Sequence, residues 1–118
     1  MNNKTKKTID FSDDNVEALT KLSDQLGDTL IKAGYGYGVD HISQIRLAAD
    51  RQDDEAFKNL VISRELFGGA VAIWEIWIEN KQLRKIFNKQ FCDYVDLLKI
   101  MGIKNERIDQ IRMDFDKF

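Results

Sequence analysis

The sequence predicts an all-α fold, a single-domain bundle of five or six helices, and three observations carry that reading. The 118 residues contain no proline. Apolar residues recur at intervals of three and four along successive stretches. Residues that cap helices, and glycines that end them, fall at the boundaries of those stretches. An all-β chain of this length would punctuate its strands with Pro and Gly turns.

The first eight residues, Met1 to Thr8, are polar and basic, with no apolar stretch behind them. They read as a flexible tail, with the helical domain spanning 9–118. A signal peptide is not expected from such a start, and no apolar run approaches the ~20 residues that span a bilayer. Cytoplasmic residence is therefore the expectation. The one cysteine, Cys92, cannot form an internal disulfide and sits between Phe91 and Tyr94-Val95, where a buried, inert thiol fits best.

Ser12-Asp13-Asp14-Asn15 opens the first predicted helix, with Asp14 and Glu17 at capping-box spacing and further acids near the positive dipole end. Val16, Leu19, Leu22, Leu26, Leu30 and Ala33 then mark one apolar stripe, ending at Gly34. Gly34-Tyr35-Gly36-Tyr37-Gly38 reads as a loop, because alternate glycines disfavour a helix. Asp40 is placed to cap a second helix carrying Ile42, Ile45, Ala48 and Ala49 and closing near Arg51. Asp53 or Asp54 starts a third, with Ala56, Phe57, Leu60, Val61 and Phe67 inward and Gly68-Gly69 as its stop.

The stretch that follows, Ala70 to Ile78, holds both tryptophans and a single charge, Glu75. Ile73, Trp74, Trp77 and Ile78 suit a buried helical turn, whereas Ile76 and Ile78 suit strand alternation. Helix is preferred, because no second strand is evident as a partner. Asn80 caps the strongest helix, whose apolar face is Leu83, Phe87, Phe91, Tyr94, Val95, Leu98 and Met101, with Gly102 as its end. Asn105 caps a last helix bearing Ile108, Ile111, Phe115 and Phe118.

Few residues suggest chemistry. His41 is the only histidine, and neither a His-rich metal site nor a Cys cluster can be built around it. It reads as a surface or capping residue. The glycine repeat at 34–38 lacks the Lys-Ser/Thr of a phosphate-binding loop and has no strand before it. No catalytic, cofactor or metal site is expected, and the chain is not expected to be an enzyme.

Charge layout is more informative. Residues 10–79 carry a net charge of −8 and residues 80–104 a net of +4, within a total of −2. Nucleic acid would demand a dominant basic surface, so it is not expected as a partner. A bipolar surface instead allows a protein of opposite charge to be steered in. Asp50-Arg51-Gln52-Asp53-Asp54-Glu55 is the densest acidic run, and helix capping accounts for it as readily as partner binding does. Tyr35 and Tyr37, flanked by glycines, read as core residues or as exposed anchors. Lys81, Lys85 and Lys89 form a like-charged i, i+4 column, a repulsion of roughly 0.2–0.5 kcal/mol per pair that a nearby acid should offset.

From Leu66 to Ile103 the chain resembles a group of small bacterial helical proteins that look like immunity proteins. The likeness lies in Leu66-Phe67-Gly68-Gly69, in Ile73-Trp74-Glu75, and in Leu83-Arg84-Lys85-Ile86-Phe87 leading to Val95-Asp96-Leu97-Leu98. Ala33-Gly34-Tyr35 is similar as well. The group's commonest form follows the glycines with Gly-Ser and an Asn-Asp pair, and Ala70 to Glu75 depart from it. The resemblance implies a protein that blocks a cognate toxin, such as a nuclease, by direct binding in bacterial competition. On that expectation Asp50, Asp53, Asp54 and Glu55 would meet basic toxin residues, and Tyr35 and Tyr37 would be apolar anchors. The alternatives are a homodimer burying Trp74 and Trp77 and, behind it, a carboxylate- or metal-dependent enzyme.

Overall fold

The computed structural model describes residues 8–62 and 77–115, without the side chains of Tyr37, Asp114 and Phe115. Five helices make up its regular structure: α1 (Asp13–Lys32), α2 (Tyr37–Asp50), α3 (Asp54–Val61), α4 (Lys81–Met101) and α5 (Glu106–Phe115). No strand occurs among the described residues, and no described helix is long and apolar enough to cross a membrane. The all-α helical bundle read from the sequence is the fold.

Helix α1 is the hub, packing most extensively on α4 and then on α2. Leu19, Leu26 and Leu30 are fully buried along it. A fully buried leucine contributes roughly 1.5–3 kcal/mol, which outweighs any single cap or surface ion pair. Gly27 lies inside the same helix, where an added Cβ would stand 3.8 Å from Val39 Cγ1 on α2, an ordinary contact. Thr29 Oγ1 lies 2.6 Å from Gln90 Oε1 on α4, a polar contact within an otherwise apolar seam.

The start of α1 differs from the expectation. Ser12, not Asp14, is the N-cap, and its Oγ accepts from the Asn15 N–H at 3.4 Å. Asp10 makes the difference by holding the approach. Its carboxylate accepts from the Ser12 N–H at 2.9 Å, and its carbonyl from Asn15 Nδ2 at 3.1 Å. The helix ends as expected at Gly34 (φ +86°), where the Tyr35 N–H returns to the Leu30 carbonyl at 2.8 Å.

The second helix corrects two expectations. It begins at Tyr37, so Tyr37 and Gly38 are helical and the connection is shorter than the glycine pattern suggested. Gly36 takes the cap position with no side-chain bond, and Asp40 sits inside the first turn rather than capping it. Early acids favour the helix dipole without capping, which accounts for Asp40. At its other end Gln52 adopts a left-handed φ of 55°, and the Asp53 N–H reaches back to the Ala48 carbonyl at 2.9 Å. His41 is half-buried rather than at the surface. Its Nε2 is 2.8 Å from the Leu60 carbonyl, which obliges that nitrogen to donate and ties α2 to α3.

Asp53 caps α3 through its bond from the Ala56 N–H at 3.1 Å. The helix closes at Val61 instead of continuing to Gly68. Phe67, the glycine pair, Trp74 and the helix-or-strand question over 71–76 lie outside the described residues. Trp77 and Ile78 have no regular structure.

Ahead of α1, residues 8–11 cross from the start of α3 to the end of α4. Asp54 accepts from the backbone N–H groups of Thr8 (2.8 Å) and Ile9 (2.9 Å), and Lys58 pairs with it at 3.0 Å. The Asp10 N–H donates to the Met101 carbonyl at 2.7 Å. Ile9 and Phe11 are buried, and Phe11 meets the Phe57 ring edge-on at 5.4 Å. Of the tail expected over residues 1–8, Thr8 is therefore anchored, and 1–7 lie outside the described residues. Gly102 (φ +124°) lets the backbones approach, since a Cβ there would stand 2.7 Å from the Thr8 carbonyl oxygen.

Asn80 caps α4 through the Leu83 N–H (2.9 Å), and Asn105 caps α5 through the N–H groups of Arg107 and Ile108. Of the lysine column, only Lys89 has an ion pair among the described residues, with Asp93 on the same helix at 2.9 Å. Cys92 is half-buried against the core, less enclosed than its neighbours suggested. Arg112 on α5 grips Asp96 with two nitrogens, at 2.9 and 3.2 Å, and Lys99 reaches Asp109 at 3.0 Å. Ile108 and Ile111 complete the core beneath these pairs. The Tyr94 hydroxyl is fully buried with no partner among the described residues, and burial raises its pKa above the usual tyrosine range.

Two glycine substitutions should move stability in opposite directions. Gly102→Ala combines a disfavoured φ with a backbone clash and is expected to destabilise by about 2 kcal/mol. Gly27→Ala meets only ordinary contacts and improves helix propensity, so stabilisation of about 0.5–1 kcal/mol is expected. Thermal unfolding followed by circular dichroism reads both.

Asp54 also predicts a pH dependence. Burial pushes its carboxyl up, but the bonds from Ile9, Lys58 and Thr8 more than offset this and leave it below the ordinary value of 3.8. A depressed folded-state pKa means that the unfolded chain takes up the proton first. The contribution is present above the unfolded value and is lost as pH falls through the folded one. Asp54→Asn should lower stability at pH 7 and flatten the fall in stability below about pH 4. Urea titrations between pH 2.5 and 7 would show it.

Candidate partner-binding surface

The residues singled out in the sequence separate into two groups on the structure. Asp50, Asp53, Asp54 and Glu55 gather at the corner where α2 passes into α3, while Tyr35 and Tyr37 lie at the opposite end of α2. Fourteen helical residues span about 20 Å, so the tyrosines and the acids do not form one compact cluster.

Within the corner the four acids differ. Asp50 is exposed and pairs with Arg46 one turn earlier, at 3.0 Å. Asp53 is exposed and holds its cap. Glu55 is exposed in the first turn of α3. Asp54 is committed inward to Thr8, Ile9 and Lys58, so its charge is largely spent within the fold. Capping and partner binding do not exclude one another for Asp53, since a capping carboxylate keeps lone pairs facing solvent.

The acidic surface reaches beyond this corner. Glu17, Asp24 and Asp28 are exposed on α1, and Asp40 is exposed on α2, which packs beside it. Lys21 and Lys32 interrupt the α1 stripe, Lys32 in an ion pair with Asp28 at 3.0 Å. Two exposed apolar residues stand among these acids, Ile31 at the end of α1 and Leu47 on α2. Leu47 is 42% exposed, one turn ahead of Asp50. Sequence periodicity hid it, because a leucine two residues past buried Ile45 draws no notice until the helix face is known.

At the other end Tyr35 is half-buried, and its hydroxyl donates to the Trp77 carbonyl at 2.8 Å. The Tyr37 side chain lies outside the described residues. Trp77 is 61% exposed, with the Arg84 guanidinium 4.3 Å from its ring centroid. Arg84 Nη1 also donates to the Ile78 carbonyl at 2.8 Å. A depression of about 380 Å³ opens beside this group, lined by Lys32, Ala33, Tyr35, Trp77, Ile78 and Leu83 among others. A larger groove of about 670 Å³ runs past Ile62, Ile100 and Gly102 at the far end of α4.

Among the described residues no three His, Cys, Asp or Glu side chains are grouped as metal ligands would be. Comparison with known proteins matches the chain to no family model, no curated protein and no solved structure.

Proposed function

We propose that this chain is an immunity protein that neutralises a cognate bacterial toxin by binding it and covering its active site. The observation that carries the reading is the acidic outer side of α1, α2 and the α3 start, with Leu47 exposed within it. The acids sit on helices fixed by a packed core, so little ordering entropy is lost when they meet a partner. A nuclease is the kind of target that suits this surface, because its substrate requires a basic cleft and complementary charge accelerates capture. Asp50, Asp53 and Glu55 are the steering charges and Leu47 the apolar contact. Asp54 supports them from below by holding residues 8–9, and Tyr35 and Tyr37 stand at the periphery.

A second reading is favoured by one observation: Trp77 remains 61% exposed, which suits a homodimer that buries it. Sedimentation at micromolar concentration separates the two, since the immunity reading expects a monomer until the toxin is added.

The direct test is calorimetric titration with the product of the adjacent gene. A one-to-one complex is expected, and absence of binding at micromolar concentration defeats the proposal. Asp50→Lys with Glu55→Lys should slow association by about tenfold at low salt and much less at high salt. Leu47→Ala should act mainly on dissociation, speeding it by about tenfold.

A further inference from the structure

Trp77 is exposed, yet the chain holds it firmly. Its carbonyl is bonded by Tyr35, its ring lies against Arg84, and the next residue, Ile78, is buried as an anchor. Arg84 is itself fixed by its bond to the Ile78 carbonyl and a longer one, 3.4 Å, to that of Glu79. A tryptophan that stays mostly in water gains little from such restraint. A partner gains from it, because a ring already immobilised has less freedom to lose on contact. Rigid Trp, Tyr and Arg side chains around a small concavity are the composition of interface hot spots.

The surrounding charge indicates what fits. Lys81 and Lys85 flank Arg84 along α4, both exposed, and neither makes an ion pair among the described residues. Residues 80–104 carry a net charge of +4 in a chain whose total is −2. The depression takes apolar lining from Ala33, Ile78 and Leu83, beside the polar Lys32, Glu79 and Asn80. We propose that the Trp77–Arg84 end of α4 docks an acidic segment of a partner protein, one of whose aromatic or aliphatic side chains enters the depression. A second copy of the chain is a poorer occupant. Its acidic face would have to meet this end head to tail, and such a contact grows into open chains unless its rotation closes. The surface is at the opposite end of α2 from the acidic corner, and the proposal stands whether or not the immunity reading does.

The test uses the full chain and two labelled twelve-residue peptides followed by fluorescence anisotropy at low ionic strength. Both carry a central Phe-Leu pair, one flanked by Asp and Glu, the other by Lys. The acidic peptide should bind with a Kd in the tens of micromolar, about tenfold or more tighter than the basic one. Trp77→Ala and the pair Lys81→Glu with Lys85→Glu should each weaken it about tenfold. Lys104→Glu, about 30 Å away along α4, and Asp50→Lys should leave it unchanged. None of these side chains is buried, and circular dichroism confirms that each variant folds. Equal binding of the two peptides, or binding indifferent to Trp77→Ala, overturns the proposal. So does self-association of the unmodified chain that Trp77→Ala abolishes.

Discussion

Helix α1 must bury two stripes at once, one against α4 and one against α2, and this constraint governs the rest of the molecule. Its leucines are spaced to serve both neighbours. Antiparallel packing on α4 follows, because Asp10 at the start of α1 reaches Met101 while Tyr35 beyond its end reaches Trp77. What remains of α1 for solvent is its third side, which carries Glu17, Asp24 and Asp28. The acidic surface is thus the leftover face of the hub, rigid because the other two faces are buried.

The crossing of residues 8–11 shows how a charged residue can serve the fold more than the surface. Asp54 lies between two other acids, and nothing in its immediate sequence distinguishes it from them. Folding brings two backbone N–H groups from 45 and 46 residues away into its reach. Charge-assisted bonds of this kind are roughly twice as strong as neutral ones, and they seat Ile9 and Phe11 in the core. The same crossing imposes glycine at position 102, where two backbones nearly touch. The ion pairs on α4 and α5 are more exposed and matter less to stability, although the two-pronged Arg112–Asp96 contact sets how α5 lies.

The two candidate surfaces are kept apart because α2 acts as a spacer. The acidic corner at its C-terminal end and the Tyr35–Trp77–Arg84 group near its N-terminal end are about 20 Å apart. Each has an exposed apolar residue, Leu47 in the first and Trp77 in the second; acids outnumber bases around the first, and Arg84, Lys81 and Lys85 outnumber Glu79 around the second. Two surfaces of opposite potential on one small rigid body suit recognition by shape and field, with affinity concentrated at the two apolar points.

Local pattern sufficed for most of the helices. The apolar spacing of α1 and α4, their stops at Gly34 and Gly102, and the caps at Asn80, Asp53 and Asn105 depend on neighbours within a few residues, which a sequence displays directly. The expectation was less accurate where a contact distant in sequence outweighed a local preference. Ser12 caps α1 because Asp10 is held against Met101, and His41 turns inward because α3 offers the Leu60 carbonyl. The candidate surface divides in the same way. Its charge was written in the composition of each segment, since charge needs no partner to exist. Which acid turned inward, which leucine stayed out, and how far the tyrosines stood from the acids were settled only when the helices packed. Those properties belong to pairs of residues that the chain brings together from far apart.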